Sequence, residues 1–265
     1  NYALAMTNSD IALAQAGDSV IGMTSPGWST LTMMLIGEPM SSDQNLRSAI
    51  AYAINRENAA TYNNESEYVA CNDLFSTKIM GEFSGKTTTS SYDPEKAKEY
   101  LAASNYDGSV ININTLSVYE NVAVSIQNDL KAIGINTQIN TVERATWSEM
   151  MANGTLQIST IDFGGVYNGP VEMMSYFVSD GYYGQMGIFG QSEGCDAAYD
   201  AIFTAADEAS REEATLKAVQ LMSDLNNFVS LYELIYTSAC SSDLEGVQPI
   251  WAAFQAPYFY QVSFK

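Results

Sequence analysis

The stretch Val110–Val142, VININTLSVYENVAVSIQNDLKAIGINTQINTV, constrains this chain more than any other. Ile111, Ile113 and Thr115 alternate with Asn112 and Asn114, the period of a strand with two unlike faces. Val122, Ile126, Leu130 and Ile133 recur at helical spacing, and Gly134 follows as a C-cap. Ile135, Thr137, Ile139 and Thr141 make a second alternating run. Strand, helix and strand joined this closely predict a parallel crossover. Thr146–Pro170 repeats the move: a helix with a capping box at Thr146 and Glu149, a strand through Leu156, Ile158 and Ile161, then a Gly-rich aromatic loop. Parallel strands open their carboxyl ends on one edge, where open α/β sheets hold small ligands. The expected fold class is therefore α/β, an open, mostly parallel sheet flanked by helices.

The flanks read less regularly. Residues 10–40 predict extended chain broken by Pro26, Gly27 and Gly37. Asp43 predicts an N-cap for an amphipathic helix over 44–57, and Asp93-Pro94 opens another helix with Ala97, Tyr100 and Leu101 inward. Residues 62–92 read as a long polar surface loop with short pieces of order. Ser210 and Glu213 predict a cap for a helix whose inner face is Leu216, Val219, Met222 and Leu225, and Tyr258–Phe264 alternates like a last strand.

Charge excludes whole classes of partner. The 265 residues carry 31 acidic and 11 basic side chains, a net charge of −20. Binding to nucleic acid or to an anionic membrane surface needs the opposite sign. The hydrophobic fraction of 46% supports a substantial core. Cys71, Cys195 and Cys240 lack metal-ligand spacing and read as free or buried thiols, with one disulfide plus a spare thiol as the alternative.

No catalytic constellation appears. Gly190-Gln191-Ser192-Glu193-Gly194 fits a nucleophile elbow, but a serine nucleophile needs a base and the chain contains no histidine. Asp207-Glu208 and Glu212-Glu213 are adjacent acids that point apart on a helix, which suits a solvated surface better than a glycosidase pair. The expectation is a binding protein without cofactor or metal. Its predicted ligand platform is Phe163, Gly164, Gly165, Val166, Tyr167 and Asn168, where glycines admit a ligand to the backbone and aromatics give flat contact. Thr115, Ser117 and Tyr119 form the second wall, with Glu143 and Arg144 on the same edge and Trp147 in the core.

Several segments together resemble one family. NLRSAIAYAINRE (Asn45–Glu57), YDPEKAKEYLAASNYDGS, IQNDLKAIGINTQINTVE and YDAIFTAADEASREEATLKAVQLMSD are similar, in order, to motifs of family 5 extracellular solute-binding proteins, the oligopeptide and dipeptide type that serves ABC importers. The resemblance implies a periplasmic-binding-protein-like lobe and identifies the chain as the C-terminal one. Residues 1–265 would form that lobe, with 1–40 and 245–265 as hinge-proximal segments pairing with an N-terminal lobe that is absent. It implies a peptide or other small solute as ligand and a membrane permease as partner. It places the protein outside the cell or in the periplasm, anchored as a lipoprotein. In oligopeptide binders an Asp that pairs with the peptide amino terminus aligns with Val166, and basic residues that meet the carboxylate align near Met151 and Thr160. A slip of a residue or two would bring Asp162 into that role. Without charged anchors, a neutral solute such as an oligosaccharide gains weight over a zwitterionic dipeptide. A ligand-sensing domain of a regulatory protein and a secreted hydrolase are the alternatives.

Overall fold

A computed structural model describes residues 2–4, 10, 12–13, 16, 19–63, 68–164, 169–186, 194–248 and 259–265. Its centre is a seven-stranded sheet. The strands are β1 (Tyr2–Leu4), β2 (Val20–Leu35), β3 (Val69–Ala70), β4 (Ile111–Thr115), β5 (Thr137–Thr141), β6 (Ile158–Gly164) and β7 (Phe228–Ser241). They lie in the order β1-β7-β2-β6-β4-β5, with β3 added to β7. A separate small pair joins β8 (Leu244–Glu245) to β9 (Ser263–Phe264).

The α/β lobe is as expected, but the sheet is mixed rather than mostly parallel. β5, β4 and β6 are parallel, as the crossover pattern dictates. β2 pairs antiparallel with both β6 and β7. The reason lies in length: β2 and β7 span 16 and 14 residues and zip together as one long ribbon. Their register shifts between Pro26 and Thr30 and again between Leu31 and Thr32. Such bulges bend a ribbon and raise its twist.

Side chains alternate across β2 and divide the core in two. Leu31, Met33 and Leu35 face one cluster with Ile113, Ile126, Leu130 and Leu231. Helices α1 (Gln44–Ala53), α2 (Arg56–Tyr62), α4 (Pro94–Ala103) and α5 (Glu120–Ala132) contribute to it. Met34 and Ile36 face the other, built from Trp147, Leu156, Ile161, Phe163, Phe177 and Phe228. α3 (Thr77–Met80), α6 (Arg144–Ala152), α7 (Pro170–Met174), α8 (Cys195–Thr204) and α9 (Glu208–Asp224) supply that side.

Local chemistry sets the helix starts. Asp43 Oδ1 accepts from the Leu46 amide at 3.0 Å, and Asp93 Oδ1 from that of Lys96 at 3.0 Å, with Pro94 at the first helical position. Five expectations are corrected. The helix over 44–57 breaks at Ile54, because Asn55 caps a second helix by accepting from the Asn58 amide. α6 starts at Arg144, so Thr146 and Glu149 lie inside it and form no capping box. α9 is capped by Asp207, which accepts from the Ser210 amide at 2.8 Å, rather than by Ser210. The 62–92 segment does not lie wholly on the surface: Leu74, Phe75, Ile79 and Met80 are buried in the second cluster. Among the described residues of the alternating run at the C-terminus, Ser263–Phe264 is strand, preceded by a short 3-10 turn at Phe259–Gln261. Cys71, Cys195 and Cys240 are free and buried. Burial pushes the Cys71 thiol up to about 12 and Cys195 to about 11, so both are inert at neutral pH.

Candidate solute-binding rim

Because β4, β5 and β6 are parallel, Thr115, Thr141 and Gly164 end on one edge of the sheet. The Val142 amide donates to the Thr115 carbonyl at 2.9 Å, holding the two exits together. After β4 the chain makes a 3-10 turn, Ser117–Tyr119, that leads directly into α5. After β5 it reaches Arg144, the first residue of α6. The register shows β6 continuing past the end of β4, so Asp162 stands level with the turn after Thr115.

Ser117 is exposed and Tyr119 half-buried, so both can meet a ligand at this rim. Thr115 is fully buried, and its hydroxyl donates to the Leu116 carbonyl at 3.1 Å, which makes it a support. Phe163 is only 7% exposed. Its ring packs against Phe75, Phe177, Tyr183 and Phe228 at centroid distances of 6.2, 5.6, 5.9 and 5.2 Å. Phe163 is therefore chiefly a core residue at the end of β6. Gly164 has φ +152 and presses its backbone on that of Trp28 and Ser29, leaving no room for a Cβ. Gly165, Val166, Tyr167 and Asn168 lie outside the described residues. Trp147 is in the core, where its Nε1–H donates to Ser159 Oγ at 2.8 Å.

The rim also holds a polar cluster. The Tyr236 hydroxyl donates to Asp162 Oδ2 at 3.2 Å and lies 3.1 Å from Ser29 Oγ. The Tyr236 ring lies across Gly27, where a Cβ would collide with it. Burial raises the Asp162 carboxyl above its usual range, opposed by hydrogen bonds from Ser29 and Tyr236 and by the charge of Arg144. Burial and the Asp162 charge push Tyr119 up to about 12 and raise Tyr236 as well, so both phenols stay neutral. On the opposite face of β6 a cleft of about 230 Å³ is lined by Phe163, Gly164, Met173, Tyr176, Tyr182 and Tyr183, with Asp162 at its edge. Among the described residues no group of His, Cys, Asp and Glu is placed to hold a metal.

Residues 2–185 match the model of bacterial extracellular solute-binding proteins, family 5 middle. The chain belongs to this family. No curated protein sequence matches it. Among solved structures, the ABC transporter substrate-binding protein CtaP of Listeria monocytogenes is 20% identical, with TM-score 0.81 over 93% of this chain and 51% of its own. AgaA of A. tumefaciens R10, solved with agropinic acid, is 18% identical with TM-score 0.83 over 100% and 56%. The oligopeptide-binding protein AppA of Bacillus subtilis, solved with a nonapeptide, is 16% identical with TM-score 0.79 over 97% and 55%. The chain thus spans about half the length of these relatives, and at such identity the likeness speaks for the family 5 fold.

Tyr236 and Ser29 escaped sequence reading in this family 5 chain. They sit on β7 and β2, far from Asp162 in sequence, and only the antiparallel ribbon brings them to it. No spacing in the sequence carries that signal.

Proposed function

We propose that this chain is the ligand-holding lobe of a solute-binding protein that delivers a peptide or related small solute to an ABC importer. The family match over residues 2–185 carries the reading. The shared edge of β4, β5 and β6 supports it, since it offers one wall of a cleft. Ser117 and Tyr119 would contact the solute directly, the 165–168 segment would form the platform, and Phe163 would hold β6 in place from behind. A second lobe would supply the opposite wall, and affinity would rise when both close on the ligand. The protein would work outside the cytoplasmic membrane, lipoprotein-anchored, against a membrane permease. No helix of the structure is long and apolar enough to cross a membrane among the described residues. The sequence holds no histidine to activate the serine of Gly190–Gly194 in the manner of a serine–histidine pair.

Mass spectrometry of small molecules released from the purified, denatured protein tests this reading. A stoichiometric peptide or small solute, rebound on titration and recovered unchanged, is the expected result. Steady turnover of peptides or glycosides would contradict it.

A further inference from the structure

β5 ends the sheet on its side, with β4 as its neighbour among the described residues. The Ile111 amide donates to the Asn136 carbonyl and the Val142 amide to the Thr115 carbonyl, both at 2.9 Å. Even-numbered residues of β5 therefore turn their backbone groups toward β4, and strand alternation turns those of Thr137, Ile139 and Thr141 outward. The Thr137 carbonyl accordingly accepts from Gln127 Nε2, at 3.1 Å, on the side away from β4. Nothing among the described residues meets the outward backbone groups of Ile139 and Thr141. Gln138 and Thr141 are exposed and Ile139 is half-buried, so the edge is open.

Sheet edges are ordinarily blunted by charge, proline or a bulge, because unpaired amides and carbonyls template another strand. β5 has none of these. Residues 132–142 carry no charge and no proline, in a chain of net charge −20. The β4–β5 register runs unbroken from Thr137 to Thr141. The edge is also self-complementary. On one face Gln138 Nε2 donates to Asn140 Oδ1 at 3.4 Å, and Asn140 Nδ2 to Asn112 Oδ1 at 2.9 Å. This relay leaves the Gln138 carbonyl oxygen and a second hydrogen on each amide for further amides. On the other face Ile139 packs in part against the first core cluster and in part meets solvent. A charged partner finds nothing to pair with here, and two copies of this chain repel wherever both bring acidic surface. The uncharged edge is where they can touch.

We propose that β5 is a self-association edge, which takes β5 of a second copy antiparallel about a two-fold axis at Ile139. The pairing goes beyond the importer reading and does not depend on it. Ile139 exchanges both backbone bonds with Ile139 of the second copy, and Thr137 does so with Thr141 of the second copy. Gln127 gives up the Thr137 carbonyl to that incoming Thr141 amide. Gln138 stands opposite Asn140 of the second copy on the amide face, and the two Ile139 side chains meet on the other. The join makes one continuous sheet and points the two parallel-strand rims in opposite directions. A strand of Thr137–Thr141 alone buries less than the roughly 1,000 Å² of a lasting interface, so the dimer is weak and reversible.

Sedimentation velocity of the 265-residue chain from micromolar to near-millimolar concentration tests this, with amide exchange read residue by residue by NMR. The expected result is a monomer–dimer equilibrium that tightens about tenfold from low to high salt, as screening removes the repulsion between two acidic chains. In the dimer the Ile139 and Thr141 amides exchange about tenfold more slowly than in dilute chain, whereas those of Gln138 and Asn140, already bonded to β4, do not change. Thr141→Pro removes an outward N–H alone and should weaken the dimer about tenfold at a little-changed melting temperature. Gln127→Ala, by freeing the Thr137 carbonyl, should tighten it. Gln138→Glu and Gln138→Lys should each weaken association, and their equimolar mixture should restore it, a result that no loss of folding can mimic. A chain that stays monomeric at every concentration and salt overturns the proposal. So does a dimer that leaves the Ile139 and Thr141 amides exchanging freely, or a mixture that associates no better than its components. A capped Thr-Val-Thr-Val peptide that slows these amides in a chain that stays monomeric assigns the edge to a foreign strand and overturns the second copy.

Discussion

Phe163 has four aromatic neighbours within 6.2 Å and almost no exposure. Truncating such a ring costs about 3–5 kcal/mol, from lost burial and the cavity left behind. Phe163→Ala should therefore lower the urea midpoint strongly, and any loss of ligand should follow unfolding. A variant that loses ligand at unchanged stability would instead return Phe163 to the ligand surface. Asp129 gives a second test at this scale. Burial pushes its carboxyl up to about 6, against a hydrogen bond from the Asn55 amide at 2.9 Å. The unfolded value is near 3.9, so between the two the folded state holds more protons and stability falls as pH rises. The penalty is complete above the folded pKa and, discounted for partial exposure, is on the order of 1 kcal/mol. Asp129→Asn should raise the melting temperature by about 2–4 °C at pH 7 and not at pH 3.5. Equal effects at both pH values would contradict this account.

At the scale of elements, Asp43 ties two helices. Its Oδ1 caps α1 and its Oδ2 accepts from the Asn105 amide, just beyond α4, at 2.6 Å. Asp43→Ala loses the cap and strands a partly buried donor, so about 2–4 kcal/mol should be lost in chemical denaturation. Asp207→Ala removes one exposed cap and should cost less; a reversed order would refute the double role of Asp43. The local signals at Asp43 and Asp93-Pro94 were legible because a cap is decided by residues within one turn. The break at Ile54 and the start of α6 were not. Asn55 competes as a cap inside an otherwise periodic run, and Thr146–Glu149 satisfies a pattern that the earlier helix start makes irrelevant. The segment holding Phe75 looked polar because its apolar residues lack a period, although four of them plug the second core cluster.

For the whole molecule, the parallel trio β5, β4 and β6 was readable because each crossover is continuous in sequence. The antiparallel half depends on β2 meeting β7 across some 200 residues, which no local pattern encodes. The rim inherits that division. Ser117, Tyr119 and Arg144 follow from the crossovers, whereas the Tyr236–Asp162 hydrogen bond exists only because the β2–β7 ribbon closes beside β6. On the proposed function, the carboxyl ends of the parallel strands are the ligand face. Hydrogen–deuterium exchange of the chain with and without the solute released from it tests that most directly. Slowed exchange is expected in residues 116–120 and 142–146, at the ends of β4 and β5. Protection confined to the opposite edge, at residues 134–137 and 154–157, would contradict it.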